Sequence, residues 1–153
     1  MPERLQFTLA AATEDPGTLV QERLGAILQA LPETPYKAIG FNFVWRLEVA
    51  EVEPFTRRQF LKEETRFAGA VQTDTVAFGT RALRNACEAL MTVDVEPVPK
   101  HSQRNWFLKI DINFHYQVSG QDAAAFCRSV LPKWDDAQRE ALKVAQALED
   151  QNV

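Results

Sequence analysis

Polar and apolar positions follow two rhythms along this chain. In "RLQFTLAA", residues 4–11, Leu5, Phe7 and Leu9 alternate with Arg4, Gln6 and Thr8, the period of a half-buried strand. After "EDPGT" the period lengthens. Val20, Leu24, Ile27, Leu28 and Leu31 share a helix face, with Asp15 as cap and Pro16 in the first turn. Pro32 and Pro35 end that helix, because proline lacks the N–H and restricts the residue before it. From Tyr36 to about Val52 the period returns to two. Ile39, Phe41, Phe43, Trp45, Leu47 and Val49 take one face; Ala38, Gly40, Asn42, Val44, Arg46 and Glu48 take the other.

"EVEP" leads into a short charged helix from about Thr56 to Arg66, with Thr56 and Gln59 as a weak capping box. Residues 67–91 fit both rhythms. "VAFGTRAL" reads on balance as a strand, although Ala82, Leu83, Ala86, Cys87, Leu90 and Met91 also suit a helix. "LMTVDVEPV" is a clearer strand, with Met91, Val93 and Val95 inward. The polar loop "PKHSQRN" joins it in a hairpin to a second long strand, Phe107 to Val118. Ser119, with Asp122 three residues on, opens a helix; Pro132 breaks it and Asp135 caps its resumption. Ala141, Leu142, Ala145 and Leu148 form a thin apolar stripe there.

The predicted order is β-α-β-α-β-β-β-α-α. Strands with one apolar and one polar face argue for a mostly antiparallel sheet, since parallel sheets buried on both sides read as continuous apolar runs. The expected class is α+β: two layers, a sheet of about five strands, helices packed on one face. The first β-α-β unit leaves room for one parallel pair. No linker or low-complexity tract divides the 153 residues, so one globular domain over 1–153 is expected.

Composition agrees. Apolar residues make up 46% and charged residues 25%, the balance of an ordinary globular protein, and ten Phe with three Trp can fill a core. The net charge of −4 opposes a broad nucleic-acid surface, which needs clustered cations. The first residues carry no apolar leader and no run is long enough for a membrane span, so a cytoplasmic location is expected. Cys87 and Cys127 match no paired spacing and read as small apolar fillers.

Two stretches echo each other: "YKAIGFNFVWRL" from Tyr36 and "FLKIDINFHYQV" from Phe107. The match fails outside these windows, and shared strand requirements explain it better than duplication. Asn42 and Asn113 fall at the same place, on the polar faces. Lys109, Asp111, Asn113, His115 and Gln117 line one such face; Gly40, Asn42, Arg46 and Glu48 line the other. If the strands are neighbours, Asn42, Asn113, His115 and Arg46 form a polar patch, and Gly40 beside Asn42 leaves a shallow depression. Asp111 and His115 sit about 13 Å apart on a regular strand, too far for a direct dyad. The candidate binding residues are therefore Asn42, Arg46, Asp111, Asn113 and His115. The plainer reading of this face is a solvated sheet surface.

Arg58, Lys62 and Arg66 follow one side of the charged helix as a second, basic candidate, interleaved with Glu63 and Glu64. Lys100, His101 and Arg104 make a smaller basic group in the hairpin loop. No phosphate-binding glycine loop, nucleophile elbow or paired metal-ligand spacing is present, so neither cofactor nor metal is expected. Two functions remain. The first is a non-enzymatic binding or assembly module, self-associating or bound to a protein, since an open sheet has edges that invite pairing. The second is a small-molecule binder or enzyme around Asn42, Asn113 and His115, with Trp45, Trp106 and Tyr116 in its lining.

Overall fold

The chain's alternating segments become a four-stranded sheet in the computed structural model, which describes residues 6–9, 14–61, 77–99, 106–120 and 122–150. Helix α1 spans Pro16–Ala30, strand β1 Ala38–Glu48 and helix α2 Val52–Phe60. Strands β2, Thr80–Ala86, β3, Ala89–Pro99, and β4, Trp106–Gln117, follow. Helix α3, Ala123–Val130, passes through one 3-10 turn, Leu131–Lys133, into α4, Trp134–Glu149. The sheet order is β1-β4-β3-β2, and all three ladders are antiparallel. The class is α+β, with no helix among the described residues long and apolar enough to cross a membrane.

The expected fifth strand is corrected. Gln6–Leu9 lie outside any strand, and Phe7 is 42% exposed. The rest of that segment lies outside the described residues. Alternation alone does not make a strand; a neighbouring edge must supply the hydrogen bonds. The ambiguous stretch does form a strand, but it starts at Thr80 and ends in a two-residue hairpin. Cys87 and Glu88 hold that turn with φ of 52° and 59°, the left-handed pair that two-residue hairpins require. Neither is glycine, so each adds about 1–2 kcal/mol of local strain. A salt bridge of 2.5 Å from Lys133 Nζ to Glu88 ties the turn to the 3-10 segment.

Helix boundaries also moved. α2 begins at Val52 rather than Thr56, because Pro54 falls in the first turn, where its missing N–H costs nothing. It stops at Phe60, as Leu61 turns extended with φ −119° and ψ 122°. Thr56 is not a cap. Its side chain is buried, donates to the Glu53 carbonyl at 3.2 Å and accepts from Phe78 N–H at 3.0 Å, tying α2 to the approach of β2. Asp122, not Ser119, caps α3 by accepting from Ala125 N–H at 2.7 Å. Asp135 caps nothing. Backbone from α3 to α4 never leaves the helical region, so no orphan N–H needs a side chain there. At α1 the expected cap is present: Thr18 N–H donates to Asp15 Oδ1 at 3.2 Å.

The core lies against the apolar face of β1, β4 and β3. Leu108, Ile110, Ile112, Phe114 and Tyr116 of β4 are all buried, with Phe41, Phe43, Met91 and Val95 beside them. Trp134 enters from the start of α4 and meets Phe41 edge-on at 5.2 Å and Phe43 at 4.9 Å between ring centroids. Phe41 meets Tyr116 at 5.7 Å and Phe43 meets Phe114 at 6.0 Å, also edge-on, the geometry aromatic quadrupoles favour. Ala137, Ala141 and Ala145 let α4 approach closely. Gly40 marks a close approach and not a bulge. A Cβ there would sit 2.9 Å from the Phe114 carbonyl oxygen, and the β1–β4 register runs unbroken through it.

Candidate functional site

The register fixes which polar residues meet on the opposite face. Directly paired residues on neighbouring strands point to the same side. One row across the sheet is therefore Gly40, His115, Leu90 and Asn85; the next is Asn42, Asn113, Thr92 and Leu83. Then come Val44, Asp111, Asp94 and Arg81, followed by Arg46, Lys109 and Glu96.

Asn42 and Asn113 meet each other. They are register partners, and Asn113 Nδ2 donates to Asn42 Oδ1. Asp111 meets Lys109 in a salt bridge of 2.5 Å, and Lys109 also reaches Glu96 at 3.3 Å. Hydrogen bonds to Asp111 and then Glu96 raise the Lys109 pKa above its ordinary value. Arg46 turns along its own strand to Glu48 at 2.7 Å and lies 4.1 Å above the Phe107 ring. His115 lies 3.4 Å from Gln117, through Nε2 and Oε1.

The five candidates thus share a face but not a patch. Arg46 pairs with Lys109, whereas His115 pairs with Gly40, six positions along the strand and about 20 Å away. Asp111 is committed to Lys109 and does not orient His115. Of the basic trio, Arg58 is exposed on α2 with its guanidinium 5.9 Å from the Phe55 ring. Lys62 and Arg66 lie outside the described residues, as do Lys100, His101 and Arg104. The described residues hold no cluster of three or more metal-ligating side chains.

Chemistry is also quiet at the two cysteines. Cys127 is buried, and its burial raises the thiol pKa. Cys87 is raised too, first by burial and then by Glu140 and Asp136, so the reactive thiolate is disfavoured at both.

Sequence reasoning did not single out the β2 side of the sheet. Six of the seven residues of β2 are exposed, so neither of its faces is covered along most of its length. Next to it an open groove of about 440 Å³ is lined by Phe60, Val93, Val95, Val144 and Leu148, with Thr80 and Arg84 on its β2 side. None of the five polar-face candidates lines it, nor do Trp45, Trp106 or Tyr116. At its rim Arg84 pairs with Glu140, which Lys143 also reaches at 3.2 Å. Those two hydrogen bonds hold the Glu140 carboxyl below its ordinary pKa. The available sequence signal was "TRALRNA", whose inward face of Thr80, Ala82, Arg84 and Ala86 offers little apolar area to bury.

No family model, curated protein or solved structure matches the chain.

Proposed function

We propose that this chain is a non-enzymatic assembly module that binds copies of itself through its sheet. One observation carries the reading: β2 is an edge strand exposed on both faces, with Leu83 58% exposed at its centre. A strand edge presents unpaired N–H and C=O groups that a second chain can satisfy. The reading takes the helices to cover the buried face and to reach β2 through the Arg84–Glu140 ion pair, leaving most of the strand exposed. On the polar face each candidate group already has a partner within the chain, which favours a structural surface over an acid–base relay. Free Cys87 and Cys127 suit a reducing, cytoplasmic setting. Light scattering over a concentration series tests the proposal. A mass that rises from monomer to dimer is the expected result; a monomer at the highest soluble concentration ends it.

A second reading rests on the groove beside β2, whose apolar floor and polar rim have the make-up of a small-ligand site. The polar face around Asn42, Asn113 and His115 offers a competing small-molecule surface. A thermal-shift screen of metabolites separates both from assembly: a ligand that binds the folded state raises the melting temperature without changing the mass.

A further inference from the structure

Resting on the self-assembly reading, we infer the interface: β2 pairs antiparallel with β2 of a second copy about a two-fold axis at Leu83, giving a continuous eight-stranded sheet.

The argument begins with symmetry. A two-fold axis perpendicular to the sheet keeps the polar face of both copies on one side. Paired residues must then come from the same face of β2, so the axis passes through a residue. Axes at Arg81 or Arg84 oppose each arginine to its own copy. An axis at Ala82 pairs only residues 80–84. The axis at Leu83 pairs all seven residues and opposes no like charges. Leu83 meets the partner's Leu83, and Arg81 meets the partner's Asn85. On the other face Ala82 meets the partner's Arg84, and Thr80 meets the partner's Ala86.

Charge is the second line. Natural edges are often guarded by free cations that repel a second strand. Here both guards are engaged within the chain. Arg81 lies 3.4 Å from Asp94, and Arg84 pairs with Glu140. Between them stands Leu83, an apolar side chain that is 58% exposed.

The third line is what lies beside the edge. The partner's strand would run along the rim made by Thr80 and Arg84, shielding the apolar floor of Val93, Val95, Val144 and Leu148. Seven residues of strand span only about 23 Å, so the contact falls at the small end of specific interfaces, below about 1,200 Å². A dimer that dissociates on dilution is therefore expected.

The test uses the full chain. Residues paired at a two-fold axis have Cα atoms about 4.5–5.5 Å apart, within disulfide reach. Leu83→Cys in a Cys87→Ser background should give a covalent dimer on mild oxidation, with Cys127 buried away from the reaction. Leu83→Lys should weaken dimerisation at least about tenfold by opposing like charges. Val44→Lys, on the opposite edge strand where Val44 is 60% exposed, should leave it unchanged. Circular dichroism confirms folding of each variant. If the wild type dimerises but Leu83→Cys does not cross-link, or Val44→Lys is the variant that abolishes the dimer, the β2 interface is wrong and assembly stands. If the wild type never dimerises, both fall.

Discussion

Strands β4 and β2 belong to one sheet yet live in different environments. β4 sits between β1 and β3, and its inward side chains are exposed by 3% or less from Leu108 to Tyr116. Among the described residues β2 has one neighbour, and its residues from Thr80 to Asn85 are exposed. The inward faces explain the contrast. β4 presents Leu, Ile, Ile, Phe and Tyr, whose burial repays a helix layer. β2 presents Thr80, Ala82, Arg84 and Ala86, which offer a helix little apolar area. The sheet buries its central strand and leaves the β2 edge exposed.

The largest effect should break this contrast at β4. Phe114→Ala is expected to cost about 3–5 kcal/mol, through lost transfer energy and the cavity left among Phe43, Phe41 and Met91. Leu83→Ala should cost less than about 0.5 kcal/mol in the monomer, since an exposed side chain leaves no cavity. Urea unfolding of both, at a concentration low enough to keep the chain monomeric, checks the pair. Equal losses would mean that β2 is covered in solution.

A smaller effect lies at Tyr116, on the buried side. Its hydroxyl is buried and has no hydrogen-bond partner among the described residues. Burial first, then Cys87, Glu88 and Asp136, push its pKa from 10 to about 12. The folded pKa is raised, so the stability linked to this group is fully present below about pH 10 and is lost as pH rises through about 12. Tyr116→Phe should remove that alkaline loss. At neutral pH it should leave stability unchanged or higher by about 1 kcal/mol, because an unpaired buried hydroxyl is removed. Thermal melts between pH 7 and 11 would reveal either outcome; a fall at neutral pH would show that the hydroxyl has a partner.

How much of this was legible in the sequence depends on the kind of residue. Strands β1, β3 and β4 were readable because Phe41, Phe43, Met91, Ile110 and Ile112 alternate with polar residues, and alternation is local. β2 was half-readable: its Ala, Arg and Leu content suits a helix, and only pairing with β3 decides the matter. The strand expected over residues 4–11 is absent at residues 6–9, because alternation does not reveal whether a neighbouring edge is available. Capping at Asp122 was misplaced by three residues because Ser119 offers the same chemistry. On the polar face, sharing a side followed from parity alone. Which residues touch did not, because register is a property of two strands. It joined Asn42 to Asn113 and sent Arg46 and His115 to separate rows.

That register supplies the smallest and sharpest effect. Asn42 and Asn113 lie opposite one another near the middle of the β1–β4 ladder, joined side chain to side chain. Neither is buried, so water replaces the lost partner when one is truncated. The coupling between Asn42→Ala and Asn113→Ala in a double-mutant cycle should therefore be about 0.2–1 kcal/mol, the range of a polar cross-strand pair. The same cycle run between Asn42 and His115 should give almost nothing, because His115 belongs to the next row and lies beside Gln117. A pair that serves register loses stability when broken and leaves assembly intact, since Leu83 at the far end of the row does not depend on it. A pair that serves binding would do the reverse: its loss would leave the melting temperature nearly unchanged and abolish the thermal shift of whichever metabolite binds. Measuring both quantities on the same three variants separates a sheet fastener from a ligand contact.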